Sequence, residues 1–523
     1  MPVVQQGALN TTALVVPDLY VQIVPPQTLA INGVPTDVIG LVGSASWGPV
    51  GTAAIVATAA QYAATFGPLV ARKHDMGTQL ALAVQQGAQD FRCVRVSDGT
   101  DSAASATLAG TSCALTAVYS GTLGNGIVVS LTPGSRVASW RLTVTAPGLT
   151  PEVFDNIAGS AGNFWTALQA AVNQGQGSQR GPSQIVVCNA GGTVVPPAAT
   201  SVSFATGVPG TDGAANVTAG LLAGNDATPR TGMYALRAQG CTVGVLADAD
   251  EATQWTSQAA FGLSEGVYMI LTGPAGDTIA NAVSTKALAG LDTYAAKMMF
   301  GDWLWWADPV AQTARLVSPQ GFVAGRLANL SPEQSSLNKP LYAVVGSQRS
   351  GTPGSGQATK YASAELSVLL QAGIDVIANP QPAGSFWGVR GGHNSSTNPA
   401  VNGDNYTRMT NYIAATLAAG MGQYVGEVIN AALFRRIRAT QMSFLQAMLG
   451  QGMLGSTDGS LPFSVVCDVS NNPQSRTALG YVQSDAQVQY QAINEKFIVN
   501  MQGGQSVVVQ RQTLPDAAGA LAA

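Results

Sequence analysis

Nearly continuous apolar runs alternate with Gly-rich turns in the first hundred residues. Residues 37–43 (DVIGLVG) favour a buried strand, and residues 91–96 (FRCVRV) favour a second one. Between these strands a helix is predicted after His74-Asp75, because apolar positions recur there at helical spacing: Met76, Leu80, Val84 and Gly87. The order of strand, helix and strand predicts the start of an α/β domain.

The pattern changes between about residues 97 and 204. Short Thr, Val and Ser runs alternate there with Gly turns, and a single helix is predicted at 161–173. This stretch is interpreted as a β-rich module inserted into the α/β domain. The α/β pattern resumes after Gly213 with predicted strands at 242–247, 266–271, 341–345 and 374–378, and helices at 251–264, 277–291 and 361–372. A long helical region at 404–450 follows, and then strands at 463–468, 486–493, 496–501 and 505–511.

Both ends of the chain contain strand-like segments. At the N-terminal end Leu19, Val21 and Ile23 alternate with their neighbours until Pro25-Pro26 ends the segment. The polar tail before it offers no obvious local partner, so we expect this strand to dock on a distant part of the chain or on another subunit. Near the C-terminus the segment QSVVVQR contains Val507, Val508 and Val509.

The predicted fold is therefore a mixed-sheet α/β (α+β) multidomain protein with extended arms. The predicted divisions are an N-terminal arm, the first part of the core, an inserted β-rich outer domain, the second part of the core with a C-terminal domain, and a C-terminal arm. Their bounds are 1–24, 25–96, 97–204, 205–502 and 503–523.

Composition excludes several classes of protein. Charged residues make up only 10% of the 523 residues, against roughly 25% in typical domains, and the net charge is −4. A hydrophobic share of 46% argues against disorder, and the lack of basic excess argues against nucleic-acid binding. The five cysteines form no CxxC pair and are expected to be reduced thiols. Low charge suits a surface that packs against other protein.

Targeting and membrane segments are not predicted. Residues 38–71 carry no charge, but Gly40, Gly43, Gly48, Pro49 and Gly51 interrupt them, so they favour strand, turn, strand and helix rather than a membrane span. The N-terminus lacks the basic and apolar regions of a signal peptide. We expect a protein that is made in the cytoplasm.

Enzyme-like motifs occur in the wrong structural order. Gly262, Ser264 and Gly266 form a GxSxG pattern, but the predicted helix precedes the Ser and the strand follows it, the reverse of a nucleophile elbow. A helix C-terminus capped by Gly266 is the favoured interpretation. An acidic loop contains Asp248, Asp250 and Glu251, for which a helix N-cap with acidic first-turn residues is favoured over a metal site.

The one cluster of charge is basic. Arg435, Arg436 and Arg438 lie in the long helical region, with Arg408 upstream. At helical spacing Arg435 and Arg438 share one face, and Phe434 and Ile437 share another. The basic face is either solvated or contacts an acidic protein partner.

A series of motifs resembles the tail sheath proteins of contractile bacteriophages and related injection particles. The matching segments, in chain order, are YVQ (20–22), VIGLVGSASWGPVGTAAIVATAAQYAATFG (38–67), RCVRV (92–96), YSGTLGN (119–125), GTDG (210–213), TGMYAL (231–236), DP (308–309), Pro319, VAG (323–325), LQAGIDVI (370–377), GSFWGVR (384–390), Arg408 with YI (412–413), FL (444–445) and GQGMLG (450–455). Each motif is short, but their order runs along nearly the whole chain. GDWLWW (301–306) resembles the shorter Mu-like branch, and the last β segment lacks the family's usual Pro-Ala-Glu-Phe run.

The resemblance implies a structural subunit with no catalysis, cofactor or metal. Six copies would form a ring around a tail tube, and rings would stack helically between baseplate and tail terminator proteins, without binding nucleic acid or inserting into a membrane. The arms would lend strands to neighbouring subunits, with hinges at Pro25-Pro26 and Gly503-Gly504. Contraction would drive the tube through the host envelope. The expected location is the phage tail of the virion, assembled in the host cytoplasm.

The same resemblance leads to two finer expectations. The inserted module would face outward, and Arg435, Arg436 and Arg438 would face the tube. The alternatives are another structural tail or surface protein, and an α/β hydrolase.

Overall fold

The computed structural model describes residues 3–6, 20–23, 31–160, 162–191 and 195–503, the first two segments by their backbone alone. The chain divides into a body, Met1–Gln491, and a C-terminal unit, Ala492–Ala523. The described helices are α1 Ala59–Phe66, α2 Met76–Gln85, α3 Gly162–Gln174, α4 Ala219–Ala223, α5 Trp255–Glu265, α6 Ile279–Leu288, α7 Gln320–Ala328, α8 Ser363–Gln371, α9 Asp404–Met421, α10 Ala431–Gly450 and α11 Gln474–Thr477. None of these helices is long and apolar enough to cross a lipid bilayer.

The described strands are short. They are β1 Val3–Gln6, β2 Tyr20–Ile23, β3 Val38–Gly43, β4 Ala53–Val56, β5 Asp90–Arg95, β6 Ser105–Leu108, β7 Cys113–Ala117, β8 Val128–Pro133, β9 Ser139–Thr145, β10 Glu152–Ala158, β11 Val186–Ala190, β12 Thr200–Ser203, β13 Val243–Leu246, β14 Tyr268–Thr272, β15 Ala296–Met299, β16 Leu304–Asp308, β17 Thr313–Val317, β18 Val344–Ser347, β19 Ile374–Asp375, β20 Ile377–Ala378, β21 Gly388–Val389, β22 Phe463–Val466 and β23 Asp485–Val488. The predicted α/β (α+β) fold class is confirmed.

A seven-stranded sheet forms the centre of the body. Its order is β19-β15-β14-β13-β3-β5-β4, parallel except for β4, which runs antiparallel to β5. All six residues of β3 are buried, as the apolar run predicts for a strand covered on both faces. Helices α1, α2 and α7 cover one face, and α5, α6 and α8 cover the other. β3, the first strand of this sheet along the chain, therefore lies inside it, and strands from later in the chain lie on both sides.

Local capping explains why the first long helix starts where the sequence predicts. Asp75 is the N-cap of α2, and its carboxylate accepts from the Thr78 backbone N–H at 2.8 Å. Asp75 is 1% exposed, and burial raises its pKa to about 6. Because this pKa differs from that of an exposed aspartate, the free energy of unfolding depends on pH.

The strands from β6 to β12 form two sheets with a core of their own. Their orders are β10-β9-β8-β12 and β11-β7-β6, and α3 packs beside them. The fully buried Phe164 and Leu168 lie in this core, as the predicted helix face requires. Trp47, from the turn after β3, also enters it. The exact bounds assigned to the inserted module stay a prediction.

Several elements in the second half of the chain were not predicted, and others lie at positions different from those predicted. β15, β16, β17 and α7 were missed: Lys297 interrupts the apolar run of β15, and α7 contains two glycines. The strand expected at 341–345 is Val344–Ser347, and it pairs with β16 outside the central sheet. The strand expected at 374–378 is divided, because β19 joins the central sheet while β20 pairs with β21.

The helical region predicted at 404–450 is two helices. α9 ends at Met421, and α10 begins after Asn430, whose side chain accepts from the Leu433 backbone N–H at 2.9 Å. Residues 496–501 form no strand and have no ladder partner within the described residues, so that prediction is wrong for the single chain. The predicted strand at 505–511, with Val507, Val508 and Val509, lies outside the described residues.

The N-terminal arm corrects another expectation. Tyr20–Ile23 pairs in parallel with Val3–Gln6, so the predicted strand does have a local partner. Val21 and Ile23 lie within this strand, whereas Leu19 lies outside the described residues. The segment taken as a polar tail thus supplies a strand.

Candidate assembly surfaces

The predicted basic face lies on the exposed side of α10. Leu433, Phe434 and Ile437 are buried, whereas Arg435, Arg436 and Arg438 are all exposed. The helix therefore has the two faces that its spacing predicts. Arg408 does not belong to this face, because it is only 6% exposed on α9.

The three arginines differ in their surroundings. Arg436 pairs with Glu427, and its guanidinium lies 5.8 Å from the centre of the Tyr424 ring. Arg438 acts on Asp468, whose pKa is held below its usual range by hydrogen bonds from Ser470 and additionally by this charge. Within the described residues neither Arg435 nor Arg438 forms an ion pair, so both charges are available to a partner.

A two-stranded antiparallel sheet packs against α10. Phe463 and Val465 of β22 are buried, whereas Ser464 and Val466 face outward. Within the described residues β22 and β23 pair only with each other, so each strand has one edge without a ladder partner. Two strands packed on a helix leave open edges of the kind that takes an added strand.

A buried ionic cluster fixes α9 to the central sheet. The Lys297 ammonium lies 2.7 Å from an Asp375 carboxylate oxygen and 3.0 Å from one of Asp404, and all three side chains are inaccessible to solvent. Burial opposes the lysine charge, but the two carboxylates outweigh it and raise the pKa of Lys297. Tyr268 and Ser336 donate further hydrogen bonds to Asp404. Helix α9 is therefore tied to the central sheet through Asp404.

Arg408 has an anchoring function beside this cluster. Its guanidinium donates to the Leu330 carbonyl at 2.7 Å and to the Ser331 carbonyl at 2.9 Å. Burial lowers its pKa to about 10. The segment that leaves the N-terminal arm also lies along α9, where the Val34 backbone N–H donates to the Thr416 hydroxyl at 3.3 Å.

A second buried arginine joins the inserted module to the core. Arg95, fully buried at the end of β5, donates to the carbonyls of Gly48 and Ser120 at 2.7 Å and of Asp212 at 3.1 Å. Gly121 approaches the core so closely that a Cβ there would lie 2.1 Å from the Ser46 carbonyl oxygen. The YSGTLGN and GTDG motifs therefore form this junction, whereas Arg95 itself was not singled out from the sequence.

The enzyme-like motifs have structural explanations. Gly266 ends α5 in the left-handed conformation with φ 68°, and the Ser264 hydroxyl donates to the Phe261 carbonyl at 3.0 Å. The capped helix end is therefore confirmed, and Ser264 lies within the last turn of α5 rather than after a strand. Its hydroxyl is held by its own helix and not by a general base.

The acidic loop does not cap a helix, so that prediction is wrong. Asp248 is buried and accepts from the Gln79 amide at 2.8 Å, and Asp250 pairs with Lys73 at 2.9 Å. Glu251 stands before a short 3-10 turn, but its side chain makes no capping bond. No group of three or more His, Cys, Asp or Glu in the described ranges is placed to hold a metal ion.

A polar cleft opens beside this loop, at the ends of β3 and β13. Its lining includes Arg72, Lys73, Asp212 and Glu251. Three of these charges are already paired, because Arg72 contacts Asp212 at 2.5 Å and Lys73 contacts Asp250. These ion pairs therefore connect segments of the same chain, and the side chains that line the cleft do not identify a ligand.

The fold is that of the sheath proteins of contractile tails. Family models and curated protein sequences give no match to the chain. Among solved structures, the sheath tail protein from Desulfitobacterium hafniense has a TM-score of 0.57 at 16% identity, over 86% of this chain and 93% of that one. The sheath tail protein from Listeria innocua has a TM-score of 0.58 at 15% identity, over 83% and 89% of the two chains.

A third likeness extends further along the chain. The helical sheath of the anti-feeding prophage in its contracted state has a TM-score of 0.53 at 11% identity, over 94% of this chain and 100% of that one. These likenesses confirm the resemblance found in the sequence at the level of the fold. The relation to the Mu-like branch stays a prediction.

Proposed function

We propose that this chain is the structural subunit of a contractile tail sheath. The observation that carries the proposal is that the sheath fold extends over most of the chain, whose sequence also contains a series of motifs that resemble that family. In the proposed assembly, copies form hexameric rings that stack helically around a tail tube, between baseplate and tail terminator proteins. The location would be a phage tail or a tail-like particle, assembled in the host cytoplasm.

Contraction in this proposal requires no catalysis by the subunit. The extended array would be a metastable state, and the contracted array would gain interface between subunits. A trigger at the baseplate would then release the difference and drive the tube through the host envelope. The buried Lys297 cluster supports this proposal, since a body that moves as a unit must hold α9 firmly on its sheet.

The β22–β23 sheet is the proposed acceptor for strands from neighbouring subunits. Its edges are unpaired within the described residues, and its inner face is already seated on α10. In the C-terminal unit Phe497, Ile498 and Val499 are at least 70% exposed, which is unfavourable for apolar side chains unless a partner covers them. Main-chain hydrogen bonds between subunits would survive rotation of the bodies, with the arms as tethers.

The basic face of α10 is the proposed contact with the tube. Arg435, Arg436 and Arg438 would meet an acidic tube surface, so sheath–tube binding should weaken as salt increases. Self-assembly, which uses other surfaces, should tolerate charge reversal at Arg435 and Arg438.

Electron microscopy of the purified protein tests the proposed function. We expect ring stacks or hollow tubes of sheath dimensions, whereas a protein that stays monomeric at high concentration would contradict the proposal. The double variant Arg435→Glu and Arg438→Glu should still form tubes but lose binding to the tail tube. The matched control, Arg230→Glu with Arg237→Glu, reverses two charges elsewhere on the body and should retain tube binding.

A further inference from the structure

Lys297, Asp375 and Asp404 form a buried triad of one amine and two carboxyl groups. The Lys297 Nζ lies 2.7 Å from Asp375 Oδ2 and 3.0 Å from Asp404 Oδ1, and all three side chains are inaccessible to solvent. A third hydrogen bond from Nζ goes to the His393 carbonyl at 2.8 Å. A nucleophile, an electrophile and a group that can carry a proton are therefore in contact, with water excluded.

We propose that Lys297 and Asp375 condense into an intramolecular amide bond, with Asp404 as the general base that moves the protons. The products are one isopeptide cross-link between β15 and β19 and one molecule of water. This inference goes beyond the proposed function, because it concerns the chemistry of the single folded chain and holds whether or not the chain forms a sheath.

Backbone donors surround the carboxyl group of Asp375. Its Oδ1 accepts from the backbone N–H groups of Val376 and Gly391, both at 2.8 Å, and its Oδ2 accepts from that of His393 at 3.1 Å. When an amine attacks Cγ, negative charge develops on an oxygen of this group. Two fixed donors on Oδ1 would stabilise that charge, as in the oxyanion hole of an acyl-transfer enzyme.

Asp404 is held in place for proton transfer. Tyr268 donates to its Oδ1 at 2.6 Å, and Ser336 donates to its Oδ2 through both the hydroxyl and the backbone N–H. Burial opposes its charge, but Lys297 and these donors outweigh burial and lower the pKa of Asp404. Asp404 is therefore an ionised base in contact with the attacking amine.

The atoms and charges of the reaction balance. The Lys297 ammonium first gives one proton to Asp375 Oδ2, which leaves a neutral amine beside a carboxylic acid. The Nζ lone pair then forms the bond to Cγ, and Asp404 transfers a second proton from Nζ to Oδ2. The Cγ–Oδ2 bond breaks, and Oδ2 leaves as water with both protons. One hydrogen stays on the amide nitrogen, and Asp404 is again a carboxylate.

Burial favours the product and also limits the rate. Condensation replaces a buried cation and a buried anion by a neutral amide, so it removes the cost of keeping that ion pair away from water. Although burial opposes the lysine charge, the two carboxylates raise the pKa of Lys297, so the neutral amine is rare. The bond should therefore accumulate after folding, while the purified protein is kept under native conditions.

A second contact between a lysine and an aspartate in the same chain lacks these features. Lys73 lies 2.9 Å from Asp250, but its side chain is 50% exposed. Water solvates such a pair, so conversion into a neutral amide removes no large cost of burial. Lys73 is therefore an internal control for Lys297.

Mass spectrometry of the native chain tests the cross-link. After incubation under native conditions, the intact mass should be lower than the sequence mass by one water molecule. Trypsin recognises the lysine charge, which acylation removes. The denatured and digested chain should therefore yield a branched peptide that joins Lys297 to Asp375, whereas the chain is cut after Lys73. An unchanged mass, or a loss of water without a branched peptide, would overturn the proposal, and a branch to Asp404 would overturn the assigned roles.

Two variants test the chemical role of each group. Lys297→Arg keeps a buried cation between the carboxylates, but a guanidinium stays protonated and does not attack, so its mass should equal that of its sequence. Asp404→Asn keeps the size of the side chain but removes the base, and it should slow bond formation about a hundredfold. Circular dichroism checks that each variant is folded. If folded Asp404→Asn forms the branched peptide at the native rate, Asp404 is not the base; if a variant fails to fold, the mass of the native chain still decides whether the bond exists.

Discussion

The central sheet and the β22–β23 sheet differ in how much one chain completes. The central sheet has seven strands with helices on both faces, and every residue of β3 is buried. The β22–β23 sheet has two strands, a helix on one face and outward-facing Ser464 and Val466 on the other. The difference separates a sheet that one chain completes from a sheet whose outer edges have no ladder partner within the described residues. If the difference holds, the two regions should respond differently to substitution.

The largest expected effect is in the central sheet, which one chain completes. Lys297→Met should lower the free energy of unfolding by about 3–5 kcal/mol, because it leaves the Asp375 and Asp404 carboxylates buried without their cation. Chemical denaturation measures the change. Lys73→Met removes an ion pair whose lysine is half exposed, and it should cost less than about 1 kcal/mol. Equal losses in the two variants would contradict the assigned role of the buried cluster.

A substitution at the junction with the inserted module should destabilise the isolated subunit, as a substitution in the central sheet does. Arg95→Met removes the donors to three backbone carbonyls and should cost about 2–4 kcal/mol. We also expect faster proteolysis at the connections near residues 97 and 210, because the module loses its attachment. Unchanged proteolysis together with unchanged stability would show that the module is held by other contacts.

The incomplete sheet should respond differently on its two faces. Val465→Ala removes a buried side chain and should cost about 2 kcal/mol in the isolated subunit. Val466→Ala, at a position 38% exposed, should change the isolated subunit by less than about 0.5 kcal/mol. If the outer face is covered in the assembly, Val466→Ala should lower the melting temperature of assembled tubes more than that of isolated subunits. Thermal melts of tubes and of isolated subunits measure the two changes.

The smallest effect concerns pH in the core. The folded-state pKa of Asp75, about 6, is higher than its unfolded value, so its contribution is greatest in acid and is lost as pH rises through 6. Between pH 5 and pH 7 the loss should be about 1 kcal/mol. Asp75→Asn keeps an N-cap oxygen and should flatten this part of the profile, whereas Asp98→Asn should leave the slope unchanged. A profile for Asp75→Asn parallel to the native one would reject the assignment.

Local patterns were sufficient for elements whose signals lie within a few residues. The start of α2 after Asp75, the apolar run of β3, the left-handed Gly266 and the two faces of α10 were all predicted from short-range sequence. They were predictable because helix caps, the periodicity of buried positions and positive φ angles depend on residues that are close in sequence. The motifs also predicted the sheath fold, because their order along the chain carries information that no single motif has.

Elements that depend on distant partners were not predicted. β15 was missed because Lys297 interrupts an apolar run, and only the fold brings Asp375 and Asp404 to it. Arg408 was noted as lying upstream of the basic cluster, and the fold buries it against backbone carbonyls. Asp248 was taken as part of a cap, although it accepts from Gln79 instead. In each case a charged residue has its partners far away in sequence.

By itself the sequence determined the fold class, the sheath resemblance, the two faces of α10 and a strand near the N-terminal end. Only the tertiary structure decided which charges are buried, where the helical region at 404–450 breaks, and that Val3–Gln6 pairs with Tyr20–Ile23. The physical reason is that periodicity and capping act over a few residues. Strand pairing and charge burial are set by contacts between segments that the sequence keeps far apart.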